Sequence, residues 1–115
     1  MAMGLRHLAL RTRDLEATER FYTGVLGLRM AFRYPGMIFL ESPGGADLLN
    51  FCRTRRSLDP RAGGLDHLGF RVDRRRLAVV RERLRKAGVR ITGRRGRWAV
   101  YFKDPNGYTV EVYAD

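Results

Sequence analysis

The sequence predicts an α+β protein made of two copies of one βαβββ unit. Three observations carry that reading. The segment "LRHLALRT" at residues 5–12 recurs as "LDHLGFRV" at residues 65–72, and the only two histidines, His7 and His67, hold the same place in the two copies. Each copy is followed by a helical pattern closed by a glycine, Gly27 in one half and Gly88 in the other. Each helical pattern is followed by three strand-like segments, the last two joined by a proline–glycine turn.

In the first half, the repeated strand leads to "RDLEATERFYTGVLGL". The Asp14 carboxylate can accept from the free N–H groups of a first helical turn. Leu15, Thr18, Phe21, Tyr22, Val25 and Leu26 then recur at helical spacing, and Gly27 can take the left-handed conformation that ends a helix. The strand segments are "LRMAFRY", "MIFLES" and "ADLLNFCR", with "SPGG" as the turn. In the second half Asp73 is the candidate cap. Leu77, Val80, Leu84 and Ala87 form the apolar stripe, and Gly88 is the stop. The strands are "VRITGR", "WAVYFKD" and "YTVEVY", with "DPNG" as the turn. Proline presets φ in such turns and Gly or Asn tolerates the positive φ that follows, so both read as hairpins. The modules span residues 4–53 and 65–115. Residues 54–64, with Pro60 and the Gly63–Gly64 pair, form the linker within one domain of residues 1–115.

A chain of 115 residues is the size of one domain, and 44% hydrophobic residues suffice for a core. No apolar run reaches the roughly 18 residues of a membrane span, and the N-terminus lacks the apolar stretch of a secretory signal. The lone Cys52 cannot form an internal disulfide, which fits a cytoplasmic location. The net charge is +11, and all basic residues except Lys86 and Lys103 are arginine. Such a charge attracts anions: small phosphates and carboxylates, acidic lipid, nucleic acid. A nucleic-acid role would use Arg74, Arg75, Arg76, Arg81, Arg83 and Arg85. No interleaved aromatic platform accompanies them, so a nucleic-acid partner is not expected.

The segments "HLALRTRDLEATERFYTGVLGL", "DHLGFRV" and "YFKDPNGYTVEVY" resemble the vicinal oxygen chelate superfamily, which holds glyoxalases, fosfomycin-resistance proteins, bleomycin-resistance proteins and extradiol dioxygenases. The resemblance spans nearly the whole chain and is more specific for the superfamily than for any one activity. It implies that each module forms a curved mixed sheet. It also implies that modules pair around a cavity, in short members across a homodimer.

By the same resemblance, His7, His67 and Glu111 are the ligands of a divalent metal, with His7 from one subunit and the other two from its partner. Imidazole and carboxylate suit Mn, Fe, Co, Ni or Zn. Three protein ligands leave positions open for substrate or water. In "YTVEVY", Glu111 shares a strand face with Thr109 and Tyr113, whereas Val110 and Val112 turn toward the helix. The halves are offset by 60 residues at the histidines, by 61 at the helix-ending glycines and by 62 at Gly45 and Gly107. On the last offset, Leu49 matches Glu111, so a fourth carboxylate ligand is missing.

Other candidates surround that set. Arg94, Arg95 and Arg97 lie in the glycine-punctuated "GRRGRWAV" and can clamp an anionic group; an ordinary basic loop is the competing reading. Tyr101 matches a tyrosine that fosfomycin-resistance thiol transferases keep near substrate, and its phenol can donate to an oxyanion. Tyr101 and Arg97 are the catalytic candidates; Arg94, Arg95, Trp98 and Phe39 are the substrate-binding candidates. Ala9 stands where thiol-adding fosfomycin transferases carry threonine, and their potassium-loop serines and longer arginine-bearing tail are not matched. These departures weigh against that particular activity. The expected function is a metal-dependent lyase, transferase or dioxygenase acting on a small oxygenated anion. The alternative is a drug- or metabolite-binding protein of the bleomycin-resistance type, without chemistry.

Overall fold

The computed structural model describes residues 1–115. It contains β1 (His7–Thr12), α1 (Leu15–Leu26), β2 (Arg29–Tyr34), β3 (Met37–Glu41) and β4 (Leu48–Arg53). These are followed by β5 (Leu68–Val72), α2 (Arg74–Lys86), β6 (Ile91–Arg94), β7 (Ala99–Lys103) and β8 (Thr109–Ala114). The chain divides into two units, Met1–Leu58 and Asp59–Asp115. Each holds one βαβββ set, as the repeat predicts.

The two sheets have equivalent strand orders, β1-β4-β3-β2 and β5-β8-β7-β6. In each, the first strand pairs parallel with the fourth and the remaining neighbours are antiparallel. A parallel neighbour requires a crossover, and α1 and α2 supply it. Both sheets carry a register shift on the strand after the helix, between Met30 and Phe32 and between Ile91 and Gly93. An inserted residue bends and twists its strand, so the two modules are bent at matching places.

The helices begin where their caps require. Asp14 Oδ1 accepts from the Ala17 N–H at 3.0 Å and Asp73 Oδ1 from the Arg76 N–H at 2.7 Å. Gly27 and Gly88 both take φ of +71° at the helix ends. Thr18, Tyr22 and Val25 are the buried residues of α1, while Leu15, Phe21 and Leu26 are only half-buried. Leu77, Val80 and Leu84 are the buried stripe of α2. Ala87, expected to extend that stripe, is exposed, because the helix ends at Lys86 and Ala87 is its cap.

The core of the first module gathers Tyr22, Val25, Ile38, Leu40 and Phe51; that of the second gathers Leu77, Leu84, Val100, Phe102, Val110 and Val112. The hydroxyls of Thr12 and Thr18 meet inside the first module at 3.0 Å, and the Thr12 oxygen also accepts from the Asp14 N–H. These buried polar groups are therefore paired, which removes the penalty of burying them.

The two proline–glycine turns share a backbone hydrogen bond, from Gly45 N–H to Ser42 O and from Gly107 N–H to Asp104 O, each 3.0 Å. They differ in kind. In the first turn the positive φ falls on Gly44, and in the second on Gly107. The second is tied down by the buried Asp104 carboxylate, which accepts from the backbone N–H groups of Asn106 and Tyr108, both at 2.9 Å. A Cβ on Gly107 would stand 3.1 Å from Pro60 Cγ on a backbone with φ of +91°. Gly107→Ala is expected to lower stability by about 1–3 kcal/mol, read as a shift in the urea midpoint; an unchanged midpoint would show that the turn relaxes freely.

Candidate functional site

Strand β8 lies inside its sheet with β5 on one side and β7 on the other. Its valines, Val110 and Val112, are fully buried on the face that packs against α2. Alternation then sends Glu111 to the opposite face. Across that face one row of directly paired residues reads Gly69, Glu111, Tyr101, Gly93. Two polar side chains, Glu111 and Tyr101, stand side by side with a glycine at each flank. A Cβ on Gly69 would lie 3.7 Å from Glu111 Oε1, and one on Gly93 would lie 3.6 Å from the Tyr101 ring. Both flanks are in contact: a Cβ on Gly69 would first meet the Tyr113 ring, at 3.5 Å.

Glu111 is 5% exposed, yet both its oxygens are engaged. His67 Nε2 is 3.2 Å from Oε1, and Arg95 Nη2 donates to Oε2 at 2.6 Å. His67 is the residue just before β5 and not within it. Its Nδ1 lies 2.6 Å from Asp66 Oδ1, and its ring meets the Tyr101 ring edge-to-face at 5.5 Å between centroids. The Asp66 hydrogen bond raises the imidazole pKa above its ordinary 6.5; burial opposes this, and the charges of Glu111 and Asp66 add to the rise. The imidazolium form can donate from both nitrogens, one to each carboxylate. Burial pushes the Glu111 carboxyl up. The hydrogen bond and charge of Arg95, the Tyr101 hydroxyl and His67 outweigh it and hold the carboxyl below 4.5.

These shifts have opposite signs in a stability profile. A raised His67 contributes stability that is complete below pH 6.5 and is lost as pH rises through the folded value. A lowered Glu111 contributes stability present above 4.5 and lost as pH falls through its folded value. The metal-free protein is therefore expected to have its highest urea midpoint between those values. The decline above neutrality amounts to about 1 kcal/mol or less, since the His67 side chain is 33% exposed and solvent screens it. His67→Ala should flatten the alkaline limb; a limb that persists assigns it to another group.

The structure brings together His67, Glu111, Tyr101 and Arg95 from the expected set. It adds Asp66, whose signal in the sequence was only a carboxylate adjacent to His67 in "LDHLGF". Arg94 pairs with Val100 and so belongs to the opposite face from Tyr101. Arg97 is exposed, and its carbonyl accepts from Arg81 Nη2 at 2.6 Å. Trp98 is half-buried, with the Arg74 guanidinium 4.2 Å over its ring, so it meets the start of α2 and not the Glu111 row.

In the first module His7 opens β1, paired with Leu48. The row equivalent to Gly69–Glu111–Tyr101 is Ala9–Asn50–Phe39. The counterpart of Glu111 is thus Asn50 and not Leu49, a correction of one residue to the alignment of the halves. Asn50 is buried; its Nδ2 donates to Ile38 O at 3.2 Å and its Oδ1 accepts from the Cys52 thiol at 3.9 Å. A fourth carboxylate is absent on either alignment. Phe39 stands beside Asn50 with Phe32 and Tyr34 edge-on, each 6.0 Å between centroids.

The metal expected from the resemblance can be tested against these residues. The donor types fit: an imidazole nitrogen and a carboxylate oxygen converge at 3.2 Å, and a second carboxylate orients the imidazole from behind. They make half a site. No group of three His, Cys, Asp or Glu side chains that could hold a metal is assembled in the chain. No helix is long and apolar enough to cross a membrane.

Comparison with known proteins follows the same line. The glutathione transferase FosA of Serratia marcescens is 27% identical over 115 residues, spanning 98% of this chain and 82% of that protein. Among solved structures, a glyoxylase/bleomycin resistance protein/dioxygenase domain from a Frankia species superposes with a TM-score of 0.82 at 27% identity, covering 99% of this chain and 93% of the other. A lactoylglutathione lyase from Agrobacterium tumefaciens superposes with a TM-score of 0.76 at 26% identity, covering 98% and 94%. The family's sequence profile matches residues 4–112, from before the first repeated strand to within the last, and the chain belongs to the glyoxalase/bleomycin resistance protein/dioxygenase superfamily.

Proposed function

We propose that the protein is a metal-dependent enzyme acting on a small oxygenated anion. The observation that carries this reading is the nearly buried Glu111 carboxylate facing His67 Nε2 at 3.2 Å, with Asp66 behind the ring. Arg95 and His67 already compensate the Glu111 charge, so the support for a metal is the meeting of imidazole and carboxylate donors, the ligand types that suit a borderline divalent cation. His67 and Glu111 would hold a divalent metal of the Mn, Fe, Co, Ni or Zn group, with His7 as third ligand, delivered by a second copy in a homodimer. The bound metal supplies Lewis acidity to neighbouring substrate oxygens. Tyr101, directly beside Glu111 in the sheet, would donate its phenolic proton in a hydrogen bond to oxyanion charge on the substrate. Arg95 would take the substrate's anionic group, and Arg97 adds positive charge at the same hairpin. The glutathione transferase FosA and lactoylglutathione lyase relatives make glutathione-dependent chemistry the first to assay.

The test is metal binding by the purified, chelator-stripped protein. One Mn²⁺ per chain is expected, and His67→Ala should weaken binding roughly 100-fold, at least as much as loss of an outer-shell partner does. His7→Ala should weaken it similarly, in a protein that sediments as a dimer. Absence of saturable metal binding would remove the catalytic reading. In that case the protein is a small-molecule binder, for which the aromatic trio of Phe32, Tyr34 and Phe39 is the surface to probe.

A further inference from the structure

The arginines of α2 take no part in the Glu111 face. From Arg74 to Arg97, eleven of the 24 residues are basic and one, Glu82, is acidic, a net of +10 against +11 for the whole chain. The repeat supplies an internal comparison. Helices α1 and α2 have the same task, a crossover packed on its own sheet. Yet Leu15–Leu26 holds one basic and two acidic residues, whereas Arg74–Lys86 holds seven basic and one acidic. The crossover role therefore does not call for the charge, and a compositional bias toward arginine would act on both helices alike. Helix stability does not call for it either. The first turn of α2 carries Arg74, Arg75 and Arg76 and no acidic residue, at the end where the macrodipole disfavours cations. Little of the charge is neutralised. Arg85 forks onto Glu82 at 3.0 and 2.7 Å, and Arg76 reaches Asp73 at 3.8 Å. Arg75, Arg83, Lys86, Arg90 and Arg97 are exposed and enter no ion pair. The helix and the β6–β7 hairpin are tied into one surface: Arg81 Nη2 donates to Arg97 O at 2.6 Å, and the Arg74 guanidinium lies 4.2 Å over the Trp98 ring.

We infer that the outer face of α2, with the β6–β7 hairpin beside it, docks on the phosphate backbone of double-stranded DNA without regard to base sequence. Ten of the eleven cations are arginine, whose planar fork meets phosphate oxygens bidentately. The 13 residues of α2 run about 20 Å, the rise of about six base pairs, so one helix face can follow several phosphates. A single strand would need exposed rings on which its bases stack. Here the Trp98 ring is half-buried under Arg74. The lack of an aromatic platform therefore weighs against a single strand and not against a duplex, whose backbone is held by charge. A membrane surface would need apolar side chains to insert. Leu77, Val80 and Leu84 are buried, and Val79 is the one large hydrophobic residue exposed on α2 or the hairpin. This docking is independent of the metal-dependent reading.

The experiment is fluorescence anisotropy of the full chain with a labelled duplex of about 20 base pairs, in salt from about 50 to 200 mM. At physiological salt a dissociation constant on the order of 1–100 μM is expected. With about six phosphates neutralised, log K should fall against log[salt] with a slope of about −5. The triple variant Arg75→Gln, Arg83→Gln, Lys86→Gln should lower the magnitude of that slope by about 3 and weaken binding at least about tenfold. The triple variant Arg13→Gln, Arg20→Gln, Arg55→Gln removes the same charge from exposed positions of the first module and should keep the affinity within about twofold, because salt screens distant charges. The urea midpoint shows that each variant is folded. One strand of the same duplex and phosphatidylserine vesicles are the comparison ligands, and both should bind more weakly than the duplex. Equal losses in the two triple variants would mean that binding follows total charge, and would overturn the assignment to α2. Tighter binding to the single strand or to the vesicles would overturn the duplex as the occupant. No duplex binding at about 50 mM salt would overturn the inference altogether.

Discussion

Glu111→Gln is expected to reduce Mn²⁺ affinity by about 100-fold or more while the chain stays folded. Even outer-shell partners of metal ligands command about 10–100-fold, and Glu111 is the only residue that brings carboxylate oxygen to His67 Nε2 from the sheet floor. Glutamine keeps the length and shape of the side chain, and its carbonyl oxygen can still accept from Arg95, so the strand pairing on both sides of β8 should persist. What is lost is the negative charge, the property a divalent cation needs. The measurement is a Mn²⁺ titration followed by electron paramagnetic resonance, with the urea midpoint as the control for folding. Unchanged affinity would mean that Glu111 serves only to anchor Arg95 and His67.

The second large effect concerns the scaffold. Phe102 is fully buried on the helix-facing side of β7, between Lys103 and Tyr101, which turn the other way. Phe102→Ala should cost about 3–5 kcal/mol, combining lost transfer energy with the cavity left behind. For a chain of this size that corresponds to a fall in Tm on the order of 10–20 °C. Tyr101 is its neighbour on the strand, so metal or ligand affinity should fall with it at temperatures near the new midpoint and recover on cooling. A loss under about 1 kcal/mol would show that the second module repacks around the gap, contrary to the close packing of protein interiors.

Much of the architecture was readable because it is written in local chemistry. Asp14 and Asp73 cap helices since a carboxylate satisfies free N–H groups wherever a helix starts, and both glycine stops adopt the left-handed conformation that other residues avoid. The alternation of Val110, Glu111 and Val112 foretold which side of β8 packs under the helix. The same alternation, joined to the paired histidines and the family resemblance, singled out His7, His67 and Glu111 as candidate ligands; of these, the structure brings His67 and Glu111 together. The counterpart of Glu111 in the first module was not readable. The halves are offset by 60 residues at the first strands and 61 at the fourth, and extrapolating from the turn glycines lands on Leu49. A slip of one residue moves a side chain to the other face of a sheet, and only the pairing of Ala9 with Asn50 and of Gly69 with Glu111 decides it.

The sequence alone therefore determined the two βαβββ units, their caps and turns, and the kinds of side chain available for chemistry, because each of these depends on residues within a few positions of one another. Tertiary structure decided which of three neighbouring arginines meets the buried carboxylate and that Trp98 serves the α2 side. Those outcomes depend on strand register and on where the bulge in β6 falls. Hydrogen bonds between segments far apart in the chain set both, and no local pattern encodes them.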